Sequence, residues 1–222
     1  MSDACGRLHH LLAGLERFRF PFEPSKIPKN GTYVLYEAGE DGHGTRRIVR
    51  VGTHTGANQL PSRLQQHFVN ESKDRSIFRK NIGRALLAKD HDEFLTQWDL
   101  DLTTRQARET VGGSIDLVKQ AQVERRVTAF IQQNFEFLVL QEDQKDRRLE
   151  LEARIISTVA ACKACGPSAT WLGLHSPKAK IRTSGLWLVN ELSGAPLSIT
   201  DHEEVAAKTL GLLGRSSGRE PL

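Results

Sequence analysis

Two short segments rich in β-branched and aromatic residues constrain the fold of this chain more than any other feature. Residues 32–36 and 47–51 have the composition of β-strands. The stretch between them contains three glycines, Gly39, Gly42 and Gly44. Because glycine adopts turn conformations at little steric cost, the pattern predicts an antiparallel hairpin over about residues 31–52.

A third strand is predicted further along the chain. Residues 135–140 read Phe-Glu-Phe-Leu-Val-Leu, an apolar and aromatic run of the length expected for a buried strand. We expect this strand to join the hairpin in one sheet. The sequence therefore predicts an α/β protein of the α+β type. Its small, mainly antiparallel, three-stranded sheet is flanked by helices and has strands at about residues 31–38, 46–52 and 135–141.

Helical periodicity dominates the remaining sequence. Apolar residues recur at helical spacing within residues 5–18, from Pro61 onward, and at about 75–89, 115–131, 145–164 and 202–213. A chain of 222 residues is long enough to bury a sizeable core as one domain. We expect a single domain over residues 1–213, with a largely helical insertion at about 70–133 and a flexible tail at 214–222.

The net charge of the chain is concentrated in one stretch. The 31 Lys and Arg residues against 27 Asp and Glu residues give +4, and residues 61–90, with seven basic and three acidic residues, carry all of it. A local basic patch suits the phosphates of a nucleic acid. Like-charge i,i+4 pairs are formed by Arg75, Arg79, Lys80 and Arg84. These pairs indicate nucleic-acid contact, or else a solvated helix face with carboxylates between the cations.

Three features favour a cytoplasmic protein with no membrane association. No apolar run approaches the roughly 20 residues needed to span a bilayer. The amino terminus carries Asp3, His9 and His10 where a signal peptide has a basic start and an apolar run. Three cysteines are too few, and odd in number, for a disulfide framework, which favours a reducing compartment.

Two of the cysteines, Cys162 and Cys165, form a Cys-x-x-Cys pair at the end of a predicted helix. Such a pair is half of a zinc site, and the other ligands would have to come from Cys5, His9 or His175. Because the sequence has no second pair, two partly buried thiols are the preferred interpretation.

One glutamate of the predicted helix at 145–164 needs an explanation. Glu152 falls three residues after Leu149 and four before Ile156, on the apolar side of the helix. An ionised carboxylate on a core-facing stripe is costly unless it is paired or binds a cation. The residue pattern leaves both explanations open, a salt bridge to an arginine such as Arg63 or a bound metal ion.

The hairpin and the helix that follows it carry a set of short motifs. Gly31-Thr32-Tyr33 begins the first strand, and Arg50-Val51-Gly52 ends the second. Arg63 and His67 then lie four residues apart on one face of the next helix. The chain resembles the GIY-YIG nucleases, whose two name motifs lie on adjacent strands ahead of a helix that bears a functional arginine. The resemblance covers about residues 30–70 and 147–160.

This resemblance implies a metal-dependent endonuclease that hydrolyses DNA phosphodiester bonds. It implies that Glu152 binds Mg²⁺ or Mn²⁺, since one carboxylate with waters and substrate oxygens is a usual way to hold such an ion. Arg63 is expected to clamp the scissile phosphate, and Tyr33 to orient or deprotonate the attacking water. His67, one helical turn from Arg63, is expected to hold or relay a proton.

The second motif departs from the family pattern. Where the family has a tyrosine, this chain has Arg50, which stays protonated and cannot act as a base. Tyr33, His54 or His67 is then expected to supply the base, while Arg50 contacts the nucleic acid. Two alternatives stay open at this point. One is a catalytically inactive nucleic-acid-binding module on the same fold, and the other is a protein-interaction domain whose basic surface meets an acidic partner.

Overall fold

The computed structural model describes residues 4–216, and the side chains of these residues except at positions 108, 111, 112 and 211–216. Over this range the β-strands are β1 (Phe18–Arg19), β2 (Gly31–Gly42), β3 (Thr45–Gly52) and β4 (Phe135–Gln141). The α-helices are α1 (Ala4–Ala13), α2 (Leu60–Phe68), α3 (Ile77–Lys89), α4 (Leu95–Asp99), α5 (Arg105–Val111), α6 (Leu117–Asn134), α7 (Lys145–Ala160), α8 (Ala179–Ser184) and α9 (Ile199–Ser216).

These elements form two compact units. The first unit comprises residues 4–61, 135–168 and 190–216, and the second comprises residues 62–134 and 169–189. Residues 1–213 were predicted to form a single domain, and their described part divides between these two units, each built from separate segments of the chain. The predicted helical insertion lies within the second unit.

The first unit is built on one antiparallel sheet with the strand order β1-β4-β2-β3. β2 pairs with β3 and with β4, which confirms the three predicted strands and their α+β setting. The predicted count of three strands is corrected by β1, in which Phe18 and Arg19 pair with Phe137 and Glu136. A two-residue strand is too short to show an alternating pattern in the sequence, so β1 had no local signal.

Three helices, α1, α7 and α9, pack with the sheet of the first unit. α1 contacts β3, α7 contacts β2 and β3, and α9 contacts β4. The predicted periodicity is confirmed in α1, where Leu8 and Leu12 are fully buried. Burial of such a side chain contributes roughly 1.5–3 kcal/mol. No helix of the described residues is both long and apolar enough to cross a bilayer.

The last helix is longer than predicted. α9 spans Ile199–Ser216, and it begins earlier than predicted because Ser198 and Asp201 cap its start reciprocally. The Ser198 amide donates to Asp201 Oδ2 at 2.7 Å, and the Asp201 amide donates to Ser198 Oγ at 3.1 Å. Residues 214–216, which were predicted to belong to the tail, are helical, and residues 217–222 lie outside the described residues.

The second unit is organised around α3. Phe78 and Ile82 are fully buried, as the helical pattern predicted. Gly83 lies against the ring of Trp98, whose Nε1 donates to the Lys80 carbonyl oxygen at 3.0 Å. A Cβ at Gly83 would come closer than 3.0 Å to that ring. This glycine therefore allows α4 to pack closely on α3.

Candidate active site

The tyrosine of the first motif and the glycine of the second motif face each other in the sheet. Tyr33 on β2 pairs with Gly52 on β3. The Tyr33 ring lies so close to the Gly52 Cα that an added Cβ would approach the ring within less than 3.0 Å. Tyr33 is only 1% exposed, so its ring cannot move aside into solvent. The packing of Tyr33 therefore requires a glycine at this position.

Two residues directly after β3 hold the glycine of the first motif. The Thr53 hydroxyl donates to the Gly31 carbonyl oxygen at 2.8 Å, and the Gly31 amide donates to His54 Nε2 at 3.4 Å. Because Nε2 accepts, the ring proton lies on Nδ1, which donates to the Gly56 carbonyl oxygen at 2.6 Å. Burial lowers the pKa of His54, although the Gly56 carbonyl opposes this effect. In this structure His54 is a neutral ring that positions the first motif.

Arg50 lies on the same face of the sheet as Tyr33. Gly52 pairs with Tyr33, and Arg50, two residues earlier, pairs with Leu35. Residues two apart on a strand, and residues paired across strands, share a face. Arg50 is only 6% exposed, because both faces of β3 are covered. The predicted nucleic-acid contact through Arg50 thus falls on a buried side chain in this structure.

α7 carries the glutamate to which the resemblance assigns the metal. Glu152 is half-buried, on a helix that contacts β2 and β3. The buried stripe of this helix includes Leu151 and Ile155, so Glu152 lies at the edge of the stripe. The Thr32 hydroxyl donates to the Arg148 carbonyl oxygen of α7 at 3.4 Å. Thr32 and Tyr33 are adjacent on β2, so this contact is made from the face opposite to Tyr33.

Arg148 is a buried residue beside the motifs, and the sequence pattern did not point to it. It is 2% exposed, and its Nη1 donates to the carbonyl oxygens of Glu142 at 3.2 Å and Asp143 at 2.7 Å. Its Nε has no hydrogen-bond partner among the described residues. The guanidinium thereby fixes the segment that leads into α7. Its one sequence signal is the spacing, four residues before Glu152 and on the same side of the helix.

The predicted phosphate clamp and its neighbouring histidine belong to α2. Arg63 is half-buried, and its Nη1 donates to Gln66 Oε1 and to the Arg75 carbonyl oxygen, both at 3.0 Å. Both bonds use the same nitrogen, so neither of them involves Nε or Nη2. His67 is fully buried, and its Nδ1 lies 2.7 Å from Ser76 Oγ. His67 thus has a structural partner within the second unit.

Most of the basic residues predicted to bind nucleic acid already have partners within the second unit. Arg79 is fully buried, and its Nη2 donates to Glu124 Oε2 at 2.7 Å. Arg84 pairs with a carboxylate at the end of α4, and Lys80 donates to a backbone carbonyl oxygen. Arg75 is exposed. Of these four residues, Arg75 is therefore the one whose side chain is presented to solvent.

The carboxylate of Glu152 suits a hard divalent cation held mainly by water and substrate. Within the described part of the chain, Glu152 belongs to no group of three or more His, Cys, Asp or Glu ligands. Mg²⁺ usually keeps several waters and is bound through one or two carboxylates together with substrate phosphates. The residues present therefore fit Mg²⁺ or Mn²⁺ better than a cation that needs a complete protein cage.

Comparison of the sequence with known protein families covers both motifs and the helix that carries Glu152. A family model described as GIY-YIG domain matches residues 3–202, a range that includes both motifs, the helical segment of the second unit and Glu152. No curated protein and no solved structure gives a significant match. The GIY-YIG domain implies a nuclease-type function on nucleic acid, and nucleases with this domain generally use divalent metal ions. The match covers most of the chain, and the chain therefore belongs to the GIY-YIG domain family.

Proposed function

We propose that this protein is a metal-dependent endonuclease that hydrolyses DNA phosphodiester bonds. The observation that carries the proposal is the pairing of the two motifs. Tyr33 packs on Gly52 across the hairpin, and His54 accepts a hydrogen bond from the Gly31 amide at the end of the hairpin opposite to its turn. These contacts maintain the motif strands in register although Arg50 occupies the place of the second tyrosine.

Arg63 and Glu152 are the two residues proposed to act on the scissile phosphate. The planar guanidinium of Arg63 matches the oxygens of a phosphate, and its Nε and Nη2 are not used by its two bonds within the fold. Glu152 would hold the Mg²⁺ or Mn²⁺ ion, which supplies charge stabilisation for the leaving oxygen. Together they would provide the positive charge that phosphodiester hydrolysis requires.

The proton acceptor in this site is proposed to be Tyr33 or His67. Arg50 cannot accept a proton at neutral pH. His54 uses Nε2 to accept the Gly31 amide and Nδ1 to donate to a carbonyl, so its geometry supports a positioning role. Tyr33 would orient or deprotonate the attacking water, and His67 would hold or relay the proton.

DNA binding outside the site is proposed to involve Arg75. Its side chain is exposed, and its carbonyl oxygen accepts a hydrogen bond from Arg63, which links the two arginines in one part of the second unit. Phosphate contacts of this kind give binding that weakens as salt concentration rises. Arg75 would thus guide the DNA backbone toward the phosphate held by Arg63.

Arg50 favours a second candidate function, a catalytically inactive nucleic-acid-binding module on the same fold. It shares a face of the sheet with Tyr33 and is itself buried, so an arginine is built into the position of a motif tyrosine. This alternative predicts salt-dependent DNA binding without cleavage in the presence of any divalent metal.

Nicking of supercoiled plasmid separates the two functions. We expect cleavage by the wild-type protein with Mg²⁺ or Mn²⁺, and loss of cleavage in Glu152→Ala. Glu150→Ala is the matched control, because Glu150 lies on the same helix, exposed and paired with Arg147 and Arg154. Equal activity of the two variants would refute the proposed metal-binding role of Glu152. DNA binding without cleavage under every metal would favour the inactive module.

A further inference from the structure

Three cysteines and one histidine meet in the first unit. They are Cys5 on α1, His43 in the turn between β2 and β3, and Cys162 and Cys165 after α7, and their ligand atoms all lie within 4.8 Å of one another. The Sγ atoms of Cys5 and Cys165 are 3.6 Å apart, and His43 Nε2 lies 3.3 Å from Cys162 Sγ. All three cysteines of the chain therefore converge on one point, although a long segment separates Cys5 from Cys162 in sequence.

The distances in this cluster match the edges of a tetrahedral metal site. In a tetrahedron, Zn–S bonds of about 2.3 Å and Zn–N bonds of about 2.0–2.1 Å give ligand-to-ligand edges of roughly 3.6–3.8 Å. Two of the separations, 3.6 Å between Cys5 and Cys165 and 3.3 Å between His43 and Cys162, lie within a few tenths of an ångström of these edges. Three cysteines with one histidine are a ligand set of structural zinc sites, and two residues between Cys162 and Cys165 is a usual ligand spacing.

The backbone around the cluster permits the close approach of its ligands. Gly42 lies against Cys165, and a Cβ at Gly42 would be only 2.9 Å from the Cβ of that cysteine. His43 has a φ of 54° and Gly44 a φ of 72°, both in the left-handed region that a tight turn between strands requires. The hairpin turn thus combines a glycine that makes room for Cys165 with a histidine directed at the thiols.

A second histidine, His9, contacts the residue that carries one of the thiols. His9 Nδ1 lies 2.9 Å from the Cys5 carbonyl oxygen and 3.5 Å from Cys5 Sγ. Its Nε2 accepts the Ile48 amide at 3.3 Å, so the ring links α1 to β3. His9 therefore holds the residue that carries one thiol and is not itself one of the four grouped ligands.

We propose that Cys5, His43, Cys162 and Cys165 bind one structural Zn²⁺ ion. Four protein ligands fill a tetrahedral coordination shell and leave no position for water or substrate, which is typical of a structural site. Binding releases the thiol protons to solvent, and the imidazole binds in its neutral form. The ion would join α1, the hairpin turn and the end of the helix that carries Glu152.

The sequence could suggest only part of this site. It offered Cys5, His9 and His175 as partners for the Cys-x-x-Cys pair. Cys5 is part of the cluster, His9 lies behind it, and His175 belongs to the second unit. The fourth ligand, His43, lies 119 residues before Cys162, and only the folded hairpin brings it to the thiols.

The metal content of the full-length protein, purified without a histidine tag, tests the proposal. We expect about one zinc per chain after dialysis, and a cobalt-substituted protein with the visible absorption of a tetrahedral cobalt–thiolate site. The three thiols should react slowly with a thiol reagent until a chelator is added. Two results would overturn the proposal: failure to hold stoichiometric zinc both as purified and after zinc addition, or a disulfide between two of the cysteines.

Two variants and a control locate the ion. His43→Asn removes the imidazole but keeps a residue type that tolerates positive φ, and Cys162→Ser changes a half-buried thiol. Both should weaken zinc binding by more than the roughly 10–100-fold that loss of an outer partner costs, whereas His175→Asn, at an exposed position, should not.

Unchanged zinc affinity in both ligand variants would contradict the proposal. If a variant does not fold, the cobalt spectrum of the wild-type protein decides. Because none of the four ligands belongs to the proposed catalytic set, a zinc-binding protein that cleaves no DNA would refute the nuclease function alone.

Discussion

The ion pair between Arg79 and Glu124 predicts that Arg79, on the basic helix α3, stabilises the fold and does not bind DNA. The two residues are 0% and 3% exposed. Arg79 Nη2 donates to Glu124 Oε2 at 2.7 Å and to Thr128 Oγ1 at 2.8 Å, and its Nη1 donates to the His67 carbonyl oxygen at 3.2 Å. The Lys73 amide also donates to the Glu124 carboxylate. Every part of this network is internal to the second unit.

Replacing Arg79 by alanine would leave a buried carboxylate without its guanidinium partner. Breaking one side of a buried ion pair typically costs about 3–5 kcal/mol. Burial raises the pKa of Glu124, and the bond from Arg79 opposes this rise, so the pKa should be higher still in Arg79→Ala. A carboxyl group whose pKa is raised by folding destabilises the protein as pH rises through that pKa. The loss of stability should therefore deepen from mildly acidic to neutral pH.

Urea unfolding of Arg79→Ala at mildly acidic and at neutral pH measures the loss of stability. DNA binding over a range of salt concentrations measures whether Arg79 contacts phosphates. The exposed residue Arg75 provides the matched control. Arg75→Ala should change the free energy of unfolding by less than about 0.5 kcal/mol and lower the salt slope of DNA binding by about one. A fully stable Arg79→Ala protein with reduced DNA affinity would refute the structural role of Arg79. It would indicate instead that Arg79 contacts DNA phosphates.

Two further predictions concern the motif strands. Gly52→Ala should cost about 1–3 kcal/mol in urea unfolding because the new methyl group meets the Tyr33 ring. Gly14→Ala, where a Cβ meets nothing within 4 Å, should be nearly neutral, and equal stabilities would contradict this packing. Burial lowers the pKa of His54, so the stability due to the neutral ring is present above its ordinary pKa of 6.5 and is lost as pH falls below it. The thermal midpoint should fall less steeply with acidification in His54→Gln than in the wild type, and parallel curves would argue against a buried neutral ring.

The parts of the fold that could be predicted from sequence are those with a local signal. The hairpin and β4 are runs of β-branched and aromatic residues, and the long helices carry an apolar stripe, so each could be placed by its own residues. The two-residue strand β1 has no such pattern and exists because Phe18 and Arg19 find an open edge of β4. Pairing across a sheet edge is a property of the assembled sheet.

The candidate site likewise contains residues whose contacts could be predicted from the sequence and residues whose contacts could not. Tyr33 and Gly52 are brought together by a hairpin that is local in sequence, so their pairing follows from the motif spacing. The partner of Arg79 is 45 residues away, and a count of charges cannot tell a paired arginine from a free one. Arg148 and His43 were missed for a related reason, because their surroundings depend on the rotation of α7 and on the direction of the hairpin turn.

The central proposal is that Arg63 and Glu152 both serve phosphodiester cleavage. Single-turnover cleavage of plasmid DNA with Mg²⁺ by Arg63→Ala, Glu152→Gln and the double variant tests this claim most directly, because residues that act as a unit have strongly non-additive effects. We predict that each single variant loses most of the cleavage rate and that the double variant is no slower than the worse single one. A wild-type rate in either single variant, or losses that multiply in the double variant, would contradict the claim.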